Sequence, residues 1–376
     1  MKTLFRKLPS PAYLIFFAVL LIVPALIGDP FWLNRLSQYL TYGMLAVSIS
    51  LCWGYSGILS LGHAAFFGLG AYCMAMSLKL LSPASLQQGT GFPLPDFMIW
   101  NTPPGQELAL PALWVPFQNQ WFGLFAAIAL PTILALIIGW FVFYGNVSGV
   151  FVSIITLSFV VILNLIVIDQ QPLTNGFNGI TDLAFFTVGD FEFDPYGATT
   201  YLLIAIALIL VTLLARSLVK TKAGLVFRAI QADETRVSYF GYDIAGYKLF
   251  SFGVSAAIAG LAGAFFVVCS QFASPALLEI GFSISIIIWA AVGGRGSLIG
   301  SAVGAIGINL LQGLLSENPM LINVWQLIIG VLFIAVVMFL PNGLAELVPK
   351  LQRRKKTSQP ESRSSVAPLA SVQSKD

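Results

Sequence analysis

The chain carries one histidine, His63, and three cysteines, Cys52, Cys73 and Cys269. His63 lies in the run Ser56-Gly-Ile-Leu-Ser-Leu-Gly-His-Ala-Ala-Phe-Phe-Gly-Leu-Gly-Ala-Tyr72, which contains no acid. Acid–base or nucleophilic catalysis needs a convergent set of groups, and a lone histidine without a neighbouring carboxylate offers a poor one. An odd number of cysteines, all in or beside apolar runs, argues against a disulfide framework. There is no zinc-ligand spacing and no Walker A pattern, so no metal or nucleotide cofactor is expected in this chain. Hydrogen bonding is what these residues can do. A neutral imidazole donates at one nitrogen and accepts at the other. With Ser60, Phe66 and Phe67 it could line a route for a small polar solute. Equally, the run could be tight packing with His63 satisfied by a backbone carbonyl. Asn175 and Asn178, in Asn175-Gly-Phe-Asn-Gly179, could form a tight turn or an outer gate. Trp289 adds a flat apolar wall to the candidate path.

These groups must be held by membrane-embedded elements. Apolar residues make up 57% of the 376 residues and charged ones 9%, against roughly 45–50% and about 25% in a soluble domain. At about 20 residues per crossing, ten helical spans are predicted near 12–28, 36–53, 57–78, 121–144, 150–168, 199–215, 249–269, 277–293, 298–315 and 324–340. The period-2 pattern of a membrane barrel is absent. With the N-terminus cytoplasmic, all 19 Lys and Arg residues except Arg35 and Lys79 fall inside, as the positive-inside rule requires. Both termini are then cytoplasmic. The first span lacks a small-residue cleavage site and is read as an uncleaved helix, not a signal peptide. The loop near 79–120 holds seven prolines and should be extended or only partly ordered. Residues 1–349 form the membrane domain, and the basic, Ser-rich 350–376 segment reads as a disordered tail. A net charge of +3 gives no reason to expect nucleic acid.

Between spans six and seven, residues 216–248 form the one sizeable cytoplasmic element. Lys222 to Arg236 has apolar residues near helical spacing, with Arg228, Asp233, Glu234 and Arg236 on the polar side. Such a short amphipathic helix could lie on the membrane surface or insert into a partner's groove. Gly293-Gly-Arg-Gly296 lacks the Lys-Ser/Thr of a phosphate loop and reads as a tight inner turn. A secondary transporter would need ionisable groups at membrane depth, and only Glu279 and Arg295, near span ends, approach that.

Several stretches, in order, resemble the LivM-type permeases of ABC importers for branched-chain amino acids and related solutes. They are the Ser56–Tyr72 glycine run, Asn175-Gly-Phe-Asn-Gly-Ile-Thr181, Lys222-Ala-Gly-Leu-Val-Phe-Arg-Ala-Ile-Gln-Ala-Asp-Glu234, Gly241-Tyr-Asp-Ile-Ala-Gly-Tyr-Lys-Leu249, Ser255 to Ala264 and Val292-Gly-Gly-Arg-Gly-Ser-Leu298. The resemblance covers roughly residues 36–340. It implies an all-α permease with about ten helices in a bacterial inner membrane. It also implies a homologous second permease, two ATPase subunits holding ATP and Mg, and a periplasmic binding protein. Gly224, Arg228, Ala229, Asp233, Glu234, Arg236 and Gly241 would then form the ATPase-coupling element. Gln231-Ala232 departs from the charged residue that many relatives carry before Asp233. Leu94-Pro-Asp-Phe-Met-Ile99 and Thr174 to Asp182 are most similar to the urea-importer branch, the UrtC type. Urea is neutral and rich in hydrogen bonds, whereas a zwitterion would call for compensating charges along the path. The expected substrate is therefore urea, with a branched-chain amino acid or another amide as the alternative.

Overall fold

The computed structural model describes residues 11–82, 94–101 and 109–317, with positions 327, 330, 331, 334, 338 and 343. It is almost wholly helical. α1 (Pro11–Leu26) and α2 (Pro30–Ile49) are followed directly by a π-helical turn, Ser50–Tyr55. α3 (His63–Leu81), the short α4 (Asp96–Asn101), α5 (Gln120–Tyr144) and α6 (Val150–Asp169) come next. The single-turn α7 (Gln171–Thr174) leads to α8 (Ala198–Val219), then α9 (Lys222–Ala232) and α10 (Glu234–Tyr239). α11 (Ile244–Ser270), α12 (Ile280–Gly293) and α13 (Leu298–Glu317) complete the described helices. The described positions at 327, 330, 331, 334 and 338, in the expected tenth span, are helical. The rest of that span and the 350–376 tail lie outside the described residues.

Local chemistry sets the helix starts. Asp29 caps α2 with Pro30 in its first turn, Asn119 caps α5 and Asp243 caps α11, each accepting a backbone N–H that the helix leaves unpaired. α3 and α11 form the centre, with 89% and 72% of their apolar windows buried against 28% for α5 and α6, whose apolar side chains face outward. α11 packs on α3, α5 and α2. The two small-residue runs, Gly68–Ala71 and Gly260–Ala264, meet at the α3–α11 crossing. A Cβ on Gly70 would collide with the backbone of Gly260, and one on Gly263 with the carbonyl of Phe67. In lipid, where burying apolar surface gives helices little reason to associate, such close approach supplies the packing attraction.

The stretch read as span three does not begin at 57. Residues 57–62 form an irregular turn, and the helix starts at His63. The loop between α7 and α8 holds an element the composition did not suggest. β1 (Phe186–Val188) and β2 (Phe191–Phe193) pair antiparallel around Gly189-Asp190, with Gly189 at φ +63°. Its approach is sewn to the bundle by Ile180 pairing with Ala273 and by Ala184 N donating to Leu78 O at 3.1 Å. Arg35 and Lys79, the two cations expected outside, are both ion-paired, Arg35 to Glu317 at 2.7 Å and Lys79 to Asp96 at 3.0 Å.

Candidate functional site

The predicted site residues divide into three groups along the bundle and a fourth beyond its end. The first centres on His63, at the start of α3 and 1% exposed. Its Nε2 lies 2.7 Å from Ser255 Oγ on α11. Ser255 Oγ donates to Ser48 O at 2.6 Å, and Ser48 Oγ donates to Ser255 O at 2.7 Å, a reciprocal clasp between α2 and α11. Each hydroxyl proton is thus spent on a carbonyl, so Ser255 Oγ is left to accept from His63 Nε2–H. His63 Nδ1 makes no well-aligned hydrogen bond, and the nearest backbone group to the ring is that of Ser60. Ser56 and Ser251 form a second hydroxyl pair at 2.6 Å. Phe66 closes this group, edge-on to His63 at 5.9 Å and to Phe252 at 5.4 Å. Ser60 meets this group through its backbone carbonyl, which lies against the His63 imidazole. Its hydroxyl accepts from Gly62 N at 3.1 Å and shapes the turn before α3.

Phe67 and Trp289 fall in a second group, held together by a residue that sequence reasoning missed. Tyr42 of α2 lies 4.9 Å from Trp289, 6.3 Å from Phe67, 5.9 Å from Phe282 and 5.6 Å from Phe266, on which it stacks. Offset and edge-on rings at these separations attract beyond their area burial. Tyr42 also borders a polar cavity of about 210 Å³ lined by Arg35, Gln38, Asn309 and Gln312.

The third group is roughly 24 Å from His63 along α3. There a cavity of about 310 Å³ is lined by Lys79, Asp96, Gln171, Asn175, Asn178 and Asp182. Asn175 is left-handed, φ +62°, and its amide donates to Gly179 O. Asn175 thus makes the expected tight turn, and Asn178 lines the polar cavity beside it.

The fourth group is α9–α10. Thr221 caps α9, and Gly224 sits against the backbone of Val219, where a side chain would collide. Arg228 lies over the ring of Tyr55 at 5.2 Å. Asp233 caps α10 and pairs with Arg236 at 2.8 Å, while Glu234 pairs with Lys248 of α11 at 2.6 Å. The acids singled out for a partner are thus already engaged within the chain. What projects freely is aromatic: Tyr239 and Phe240 are 84% and 80% exposed. Leu225, Val226, Ala229, Arg236 and Phe240 line a groove of about 540 Å³ beside them, and Gly241, at φ +78°, turns the chain back toward α11.

The serine clasp was legible only in part. Hydroxyls inside apolar spans are a recognised signal, but Ser48 and Ser255 lie far apart in the chain and only the fold joins them. Among the described residues no group of three or more His, Cys, Asp or Glu could hold a metal ion.

Residues 31–337 match the family model for the permease component of branched-chain amino acid transport systems. The chain is 25% identical over 364 residues to the high-affinity branched-chain amino acid transport system permease protein LivM of Escherichia coli (strain K12), covering 89% of this chain and 76% of that relative. It is 24% identical over 366 residues to the LivM protein of Salmonella typhimurium, covering 90% and 76%. No solved structure matches. Members of this family are transporter components and not enzymes, and a bundle centred on α3 and α11 with apolar helices outside is what such a component requires. The chain belongs to the branched-chain amino acid transport permease family.

Proposed function

We propose that the chain is the inner-membrane permease subunit of an ABC importer and forms half of a translocation path for urea. A homologous second permease would form the other half, and a periplasmic binding protein would deliver the solute. Two ATPase subunits, holding ATP and Mg, would drive the cycle through α9–α10. Both termini are cytoplasmic in this reading. The observation that carries the urea assignment is the His63–Ser255–Ser48 chain, a buried, uncharged set of hydrogen-bonding groups beside the Phe66 ring. A neutral planar solute can exchange its water for such groups and slide along aromatic walls, whereas a bare apolar path would strip water without replacement.

A second reading, transport of a branched-chain amino acid, is favoured by the relatives' names and by the outer cavity. Lys79, Asp96 and Asp182 place charges of both signs around it, Lys79 and Asp96 being paired with each other, and a zwitterion could exchange into that pair. Uptake of labelled urea and of labelled leucine into vesicles holding the whole importer decides between them. Urea uptake competed by unlabelled urea but not by leucine supports the first reading. The opposite pattern replaces it with the second.

A further inference from the structure

α2 does not continue as a regular helix to its end. Its last turn, Ser50–Tyr55, is π-helical. Such turns carry an extra residue, occur often at functional sites and mark places where a helix changes register. Contacts from three other elements converge on this one. From the α12–α13 turn, Arg295 O accepts from Ser50 Oγ at 2.7 Å, and the Arg295 guanidinium covers Trp53 at 5.0 Å. Gly54 packs so closely on the Arg295 carbonyl that any side chain would collide. From α9, Arg228 covers Tyr55. Gly57, left-handed at φ +73°, faces Gln231, whose Cα would sit 3.3 Å from an added Cβ. From α11, Ser255 and Ser251 hold Ser48 and Ser56, one on each side of the π-helical turn.

We propose that Ser48, Ser255 and His63 form the inner gate of the path, shut in this conformation, and that Ser50–Tyr55 is the lever by which α9 opens it. The lever rests on the reading of α9–α10 as the ATPase-facing element. The clasp itself rests on geometry alone. Movement of α9 pulls on Tyr55 and Gly57, shifts the π-helical turn along α2 and parts Ser48 from Ser255. Two hydroxyls and an imidazole then turn to the passing solute. The clasp suits this role because its bonds join small side chains to backbone carbonyls, so a solute amide can take the place of either partner. His63 sits between this clasp and the Ser60 carbonyl, so its ring can exchange a protein partner for a solute group when the clasp parts.

The test uses the complete importer in proteoliposomes, with Cys52, Cys73 and Cys269 first replaced by alanine. In a Ser48→Cys, Ser255→Cys variant, oxidation should bridge the two positions and lower ATP-driven uptake at least about ten-fold. Reductant should restore it, with the ATPase subunits retained throughout. Bridged protein that transports as fast as the unbridged, reductant-treated protein overturns the gate. A Ser48→Ala, Ser255→Ala variant covers the case in which no bridge forms. It should hydrolyse ATP without the binding protein and move about ten-fold less solute per ATP, and an unchanged ratio overturns the gate. For the lever, Tyr55→Ala and Gly57→Ala should each lower uptake several-fold while insertion and ATPase capture stay intact. Normal uptake in both overturns it. A Tyr239→Ala, Phe240→Ala variant that still captures the ATPase overturns the docking reading and the lever with it, and leaves the cross-link result to judge the gate.

Discussion

Glu234 and Lys248 tie α10 to α11 at 2.6 Å, but the two ends of the bond differ, with the Lys248 side chain 9% exposed and the Glu234 side chain 47%. Removing one end is therefore not equivalent to removing the other. In Glu234→Ala the Lys248 ammonium loses its counterion while remaining largely out of water. A fully buried pair broken in this way costs about 3–5 kcal/mol. Half of this pair is wet, so about 1–3 kcal/mol is expected, the range for a buried group left unsatisfied. In Lys248→Met the carboxylate swings into water and the methionine fills the lysine's apolar track. That change should cost about 0–1 kcal/mol, as for an exposed ion pair. The assay is denaturant-induced unfolding of the purified complex, with hydrogen exchange at α10 amides as the local probe. The double variant should resemble Lys248→Met, because no stranded charge remains. If Lys248→Met proves as costly as Glu234→Ala, the burial asymmetry is not what governs this contact. The outcome also bears on transport. Glu234 would then act by setting the angle of α10, and Glu234→Ala should weaken ATPase capture through misplacement of Tyr239 and Phe240.

Gly70→Ala should part α3 from α11 and destabilise the subunit by about 1–3 kcal/mol, read as a lower unfolding midpoint. Gly68→Ala should be tolerated better, because its added Cβ meets chiefly the movable end of the Leu278 side chain, where that of Gly70→Ala meets the Gly260 backbone; equal losses of folded yield from the two would contradict this. His63→Gln and Trp289→Phe should each lower urea uptake several-fold with little change in unfolding midpoint, and wild-type rates in both would leave these residues as packing only. A cysteine placed at Asp190 should react with an impermeant thiol reagent from outside, and one at Lys220 only after the membrane is opened; the reverse would invert the orientation.

Hydropathy located most of the helices because their ends coincide with real changes of polarity. The spans expected at 121–144, 150–168 and 298–315 are the helices Gln120–Tyr144, Val150–Asp169 and Leu298–Glu317. It failed where apolar residues continue through a bend. Ile58 and Leu59 read as span, yet Gly57 and Gly62 break the backbone and leave His63 as the first helical residue. The hairpin at 186–193 carried a usable signal, Gly-Asp between alternating aromatics, which the acidic charge of that loop obscured. The π-helical turn had none, since its extra residue is set by contacts with Arg295 and α11. The path candidates were half legible. His63 and Trp289 stand out by type, but their partners Ser255 and Tyr42 are ordinary residues whose importance comes from the fold. The residues expected to couple to an ATPase show a different limit. Asp233 and Glu234 look from spacing alone like exposed charges, and only the cap of α10 and the nearness of Lys248 show them engaged.

The ion pair between Arg35 and Glu317 has a consequence for biogenesis. With the N-terminus inside, as proposed, Arg35 is made near the start of synthesis and lies on the side where basic residues are disfavoured. Its partner is made about 280 residues later. At roughly 5–20 residues per second, α2 must wait on the order of 15–55 s before α13 can supply the neutralising carboxylate. During that interval the first hairpin of the nascent chain would be held only by its hydrophobicity and by the Asp29 cap. A chain truncated before Glu317 would carry this early helix with its outward charge uncompensated, making α2 the span most prone to invert in an incomplete product.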